Sequence, residues 1–122
     1  MRELWEESGV VTFPKYLQEV AEVDFHNEME NKDIFLCRVH YFFCYKWFGI
    51  PESRPKEYMI NPTWFLKSHM PYERMMPADE DYITLLFKRE NSGWILKAKA
   101  FMGSNQTKVL KPTEISWVLR SD

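Results

Sequence analysis

Hydrophobic and polar positions divide this chain unevenly, and the densest apolar run is Ile34 to Gly49. Aromatic and β-branched residues dominate it, which suits a pleated, packed surface. Alternation splits it into two faces. Phe35, Cys37, Val39, Tyr41, Phe43, Tyr45 and Trp47 form a nearly uncharged face expected to meet the core. Leu36, Arg38, His40, Phe42, Cys44 and Lys46 form a mixed face. The run therefore predicts a central strand, ended by Gly49, Pro51 and Pro55. A helix would leave aromatics on every side.

Elsewhere the pattern is less one-sided. Tyr16, Leu17, Val20 and Val23 fit a helical stripe, while Ala21, Val23, Phe25 and Asn27 also alternate. The helical reading, from Pro14 to Val23, is adopted for this segment. Glu30-Asn31-Lys32-Asp33 reads as a turn. Tyr82 to Lys88 alternates, a polar turn follows at Arg89-Glu90-Asn91-Ser92-Gly93, and Trp94 to Met102 alternates again. That sequence predicts a β-hairpin. A loop is expected at Gly103-Ser104-Asn105-Gln106, a strand extension at Val109-Leu110, and a last strand from Glu114 to Arg120. The expected fold is α+β and β-dominated: a five- to six-stranded, mostly antiparallel, barrel-like sheet with one or two short helices, spanning residues 1–122 as one domain.

Composition adds two constraints. The chain is 45% hydrophobic and 16% aromatic, so its five Trp and nine Phe must be buried or used in contacts. No window is long and apolar enough to span a membrane, and Met1 to Glu7 lacks the apolar stretch of a signal peptide. Cys37 and Cys44, at odd spacing in one strand, fall on opposite faces roughly 20 Å apart and cannot pair. Two free thiols suit a reducing compartment, cytoplasmic or nuclear.

Charge is directional. Residues 1–33 carry three basic and nine acidic side chains, and residues 88–122 carry seven basic and three acidic. Lys97 and Lys99, beside Phe101, are a candidate docking face for an acidic partner.

Motifs for chemistry are weak. Cys37, His40 and Cys44 lack the further ligands a structural zinc site needs. Asp79-Glu80-Asp81 has the carboxylates for magnesium but reads as a solvated turn. The four glycines do not cluster into a phosphate loop. No catalytic residue, metal ligand or cofactor site is assigned.

The segment from 49 to 81 is punctuated by Pro51, Pro55, Pro62, Pro71 and Pro77, yet it is too apolar for a disordered linker. Trp64, Phe65, Met70, Tyr72 and Met75 make it a candidate contact surface. The expected function is a non-catalytic module binding another protein through these residues and Lys97, Lys99 and Phe101, as an inhibitor, immunity-type protein or adaptor. The alternative is an OB-like module for single-stranded nucleic acid, using aromatics interleaved with bases; the sequence pI of about 5.9 argues against it. Asn61 to His69, with the Pro-containing turn and strand after it, is similar to a segment of bromo-adjacent homology domains, β-rich chromatin-interaction modules. That family's preceding tryptophan-aromatic-arginine-proline stretch is absent here, and the resemblance carries no assignment.

Overall fold

The computed structural model describes residues 2–90, 92–103 and 106–120. Asn91 of the expected turn, and Ser104 and Asn105 of the expected loop, lie outside them. Packing divides the chain into two compact units, residues 1–18 with 42–66 and residues 19–41 with 67–122.

The elements are α1 (Arg2–Ser8), β1 (Leu17–Glu28), β2 (Ile34–Cys44), α2 (Asp79–Lys88), β3 (Trp94–Gly103) and β4 (Lys108–Leu119), with short 3-10 turns between some of them. The strands form one four-stranded sheet in the order β2-β1-β3-β4, with β1 parallel to β3 and β3 antiparallel to β4. The sheet is mixed and open. The five- to six-stranded, mostly antiparallel barrel expected from the sequence is therefore corrected, and with it the OB-like architecture.

The corrections have physical causes. β1 replaces the helix expected from Pro14 to Val23, of which Pro14–Tyr16 alone keeps a helical turn, of 3-10 type. Pairing decides the matter. Ala21, Val23, Phe25 and Asn27 are all buried and stand opposite Leu96, Ala98, Ala100 and Met102 of β3. Tyr82 to Lys88 is helix rather than strand. Asp79, Glu80 and Asp81 occupy its first turn, where carboxylates favour a helix N-terminus. Tyr82 and Leu86, four apart, are its buried residues. The hairpin is instead β3 with β4, running from Trp94 opposite Leu119 to Gly103 opposite Lys108, with a register irregularity around Phe101.

β2 is an edge strand, not the central one, and ends at Cys44. From Leu36 to Phe43 its faces alternate as expected, Cys37, Val39, Tyr41 and Phe43 half-buried and Leu36, Arg38, His40 and Phe42 exposed, but Phe35, Tyr45 and Trp47, expected inward, are 58%, 47% and 40% exposed. None of its residues is fully buried. The central pair β1 and β3 carries the core. Its small residues Ala21, Ala98 and Ala100 leave room against which the large Tyr82 is fully enclosed. Leu119, at the end of β4, is 68% exposed.

Candidate functional site

Three constellations stand out, one in the first unit and two in the second.

The first is α1. Glu3, Glu6 and Glu7 are three and four residues apart, so they crowd one side of the helix. Arg2 answers Glu6 at 3.4 Å. The last turn holds no basic residue, so Glu6 and Glu7 lie at the end where the helix dipole disfavours anions. Gly9 follows at φ +78°, and a Cβ there would lie 2.9 Å from Glu52 Cγ. The Glu52 N–H donates to the Ser8 carbonyl at 2.9 Å. A fourth carboxylate is thus held beside the end of α1, paired with Arg54 at 2.7 Å. The Arg54 guanidinium in turn lies over the Trp5 ring, 5.0 Å from its centroid. All-oxygen carboxylate sets of this kind suit a hard cation such as Mg²⁺.

The second lies on the sheet face made by the outward residues of β1, β2 and β3. Glu22 stands opposite Lys97, and Asp24 opposite Lys99, in parallel register. Lys97 Nζ reaches Glu22 at 2.8 Å, and Arg38 Nε reaches Glu22 at 3.2 Å. Arg38 also grips Asp24 with two hydrogen bonds, 2.8 and 3.2 Å. His40 Nδ1 lies 2.6 Å from Glu19 and 3.9 Å from Glu22. The Lys97 hydrogen bond holds the Glu22 carboxyl below its ordinary range, and the Arg38 hydrogen bond does the same for Asp24. Farther along, the His26 and Phe101 rings stack at 5.1 Å and Lys111 lies 4.0 Å from the Phe101 centroid.

The third is an open cleft of about 620 Å³ where β1 leads toward β2, with Asn27, Met29, Ile34, Phe35 and Gln106 in its lining. Asn27 is 4% exposed, and neither its amide nitrogen nor its amide oxygen has a hydrogen-bond partner. Buried polar groups are nearly always paired. An orphaned carboxamide on a largely apolar cleft is therefore a recognition feature or a standing cost. Nearby order comes from α2: Tyr82 donates to Asp79 at 2.6 Å, and the Tyr41 and Tyr82 hydroxyls meet at 2.7 Å.

The residues expected to bind a partner divide between the two units. Trp64 and Phe65 belong to the first unit, whereas Met70, Tyr72, Met75, Lys97, Lys99 and Phe101 belong to the second. Trp64 is 72% exposed and packs its ring 5.5 Å from that of Trp47. Met70, Tyr72 and Met75 are half-buried. Lys97 is engaged with Glu22, and Lys99 is exposed. Sequence reading passed over Glu3, Glu6 and Glu7, although their i, i+3, i+4 spacing was visible. It also passed over Asn27, whose isolation depends on burial that no local pattern reports.

The geometry defines an open mixed α/β sheet with a carboxylate-bearing helix. Among solved structures, the chain is similar in fold to the mutator MutT protein from Bacillus halodurans, with a TM-score of 0.71 and 14% identity over 93% of this chain and 69% of that one. No family model matches, and no curated protein matches. Among the described residues, no helix is long and apolar enough to cross a membrane.

Proposed function

We propose that this protein is a divalent-cation-dependent hydrolase of a small phosphate-bearing molecule. The observation that carries the reading is α1, where Glu3, Glu6 and Glu7 are concentrated within two turns, with Glu6 and Glu7 at the end where the helix dipole disfavours anions. Sequences break local rules of this kind chiefly where function requires it. Glu3, Glu6 and Glu7, with Glu52 beside them, are the residues that would hold the cation. Mg²⁺ held by a few carboxylates characteristically completes its shell with water and substrate phosphates; when bound, it neutralises phosphate charge and activates water. Arg2 holds Glu6 at 3.4 Å and Arg54 holds Glu52 at 2.7 Å, so two of the four carboxylates have a partner before any ligand arrives. The fold likeness to a MutT protein supports the reading as analogy only. The free thiols of Cys37 and Cys44 favour a reducing compartment such as the cytoplasm.

The test is phosphate release from inorganic pyrophosphate and nucleoside triphosphates, with and without Mg²⁺. Magnesium-dependent release that falls at least about tenfold in Glu7→Gln supports the assignment. Release that is absent, or unchanged in that variant, overturns it.

A second reading keeps partner binding, because Tyr58, Ile60, Trp64 and Leu66 are 93%, 66%, 72% and 69% exposed within one short stretch. Apolar groups concentrated this way mark contact surfaces. A photo-crosslinking residue at position 64 should give a discrete adduct with another protein. If the only products are unmodified chain, this reading fails.

A further inference from the structure

We infer that Glu19, Glu22 and His40 form a site for a borderline divalent ion, Zn²⁺ above all, distinct from the carboxylates of α1. One ligand atom from each of the three lies within 4.8 Å of the others. A tetrahedral zinc ion with ligand bonds near 2.0–2.1 Å sets its ligand atoms about 3.3 Å apart. The His40 Nδ1 separations, 2.6 Å to Glu19 and 3.9 Å to Glu22, bracket that value. Side-chain shifts of less than about 1 Å would therefore seat the ion.

The imidazole distinguishes this cluster from an acidic patch. A nitrogen ligand with two carboxylates selects zinc and its first-row neighbours over Mg²⁺ and Ca²⁺, which prefer oxygen alone. Three protein ligands leave a fourth position for water on this face. His40 and Glu19 lie on different strands, and their side chains are 47% and 33% exposed, so an ion has a route in.

Two cations stand close and must be accommodated. Lys97 hydrogen-bonds the same Glu22 oxygen that faces His40, and Arg38 takes the other. A carboxylate oxygen has two lone pairs, so Glu22 can ligate while keeping Lys97. Arg38 is itself locked onto Asp24. Lys97 and Arg38 thereby act as the outer hydrogen bonds that ligating carboxylates ordinarily receive. Counting Glu19, Glu22 and Asp24 against Lys97 and Arg38, the site carries one net negative charge before His40 protonates, which a divalent ion reverses.

The experiment uses the full chain carrying Glu3→Gln, Glu6→Gln and Glu7→Gln, so that α1 cannot answer for the result. Zn²⁺ binding is read by equilibrium dialysis and by the visible absorption of Co²⁺ in its place. One equivalent bound, with affinity at least about tenfold weaker in His40→Ala and in Glu19→Gln, supports the site. No binding in that background, or equal binding in His40→Ala, overturns it. Activity of the α1 site plays no part in either outcome, so this inference and the proposed hydrolysis fail separately.

Discussion

Replacing Asn27 by Leu should make the protein more stable. The side chain is 4% exposed, with both amide atoms unpartnered. Burying an amide without a hydrogen bond costs about 1–3 kcal/mol by mutational data. Leu branches at the same carbon but is larger by about two methylene groups, and its branch end would meet Met102 across the strand pair and Met29, Ile34 and Phe35 at the cleft. Burying it adds about 1.5–3 kcal/mol of apolar transfer relative to exposure. Overpacking by the larger side chain takes back about 1–3 kcal/mol of this, which leaves a net gain of about 2 kcal/mol. For a chain of this length that corresponds to a rise in Tm of about 6–10 °C. Urea denaturation should show a higher midpoint with an unchanged slope. Asn27→Asp, which places a charge in the same position, should move stability the opposite way. If Asn27→Leu is neutral or destabilising, the amide has a partner and the recognition reading of this cleft is wrong. If the variant is stabilised, the wild-type residue is retained at a cost, which is the signature of a functional position.

Tyr82→Phe should destabilise by about 1–3 kcal/mol, because Asp79 and Tyr41 each lose a hydrogen bond in a poorly solvated place; thermal denaturation measures it. Burial, then the hydrogen bonds to Asp79 and Tyr41, push the Tyr82 hydroxyl well above its ordinary value of 10.0. The raised folded value means that its contribution is complete below pH 10 and is lost as pH rises beyond it. Spectrophotometric titration should therefore show Tyr82 ionising only as the protein unfolds. Arg38→Met should raise the carboxyl pKa of both Asp24 and Glu22, which Arg38 now helps to hold below 3.8 and 4.5. Their depressed folded values give stability present above those figures and lost as pH falls through the folded ones. Carboxyl-carbon NMR titration should show the shift, and an unchanged Asp24 would refute the pairing.

The sheet itself was only half legible in the sequence. The alternation of β2 was readable from Leu36 to Phe43, but not the exposure of Phe35 nor the strand's place at the edge. That place depends on β1 pairing with β3 from a distant part of the chain. Tyr82 to Lys88 alternates as a strand and also repeats at four as a helix. A seven-residue window cannot separate the two periods, and the acidic turn before it was the discriminating signal. The free state of Cys37 and Cys44 is as expected. Parallel pairing was invisible, because nothing local encodes a crossover partner. At the candidate sites, the α1 carboxylates were readable from spacing alone. The cluster of Glu19, Glu22 and His40 was not, since β1 and β2 bring it together only by pairing.

The directional charge of the chain takes a different meaning in three dimensions. An acidic N-terminal third and a basic C-terminal third suggested a surface awaiting an acidic partner. In the fold the two signs meet across the sheet. Glu22 faces Lys97 and Asp24 faces Lys99 along β1 and β3, and Arg38 closes over Glu22 and Asp24 from β2. Of the C-terminal basic residues, Lys97 is thus ion-paired with β1. What this leaves over is the acidic charge of α1, where three glutamates share one helix with a single arginine. Like charges at that spacing oppose the helix by a few tenths of a kcal/mol per pair, and Arg2, at 3.4 Å from Glu6, answers one of the three. A counter-charge from outside the chain, such as the cation proposed above would supply, removes that opposition.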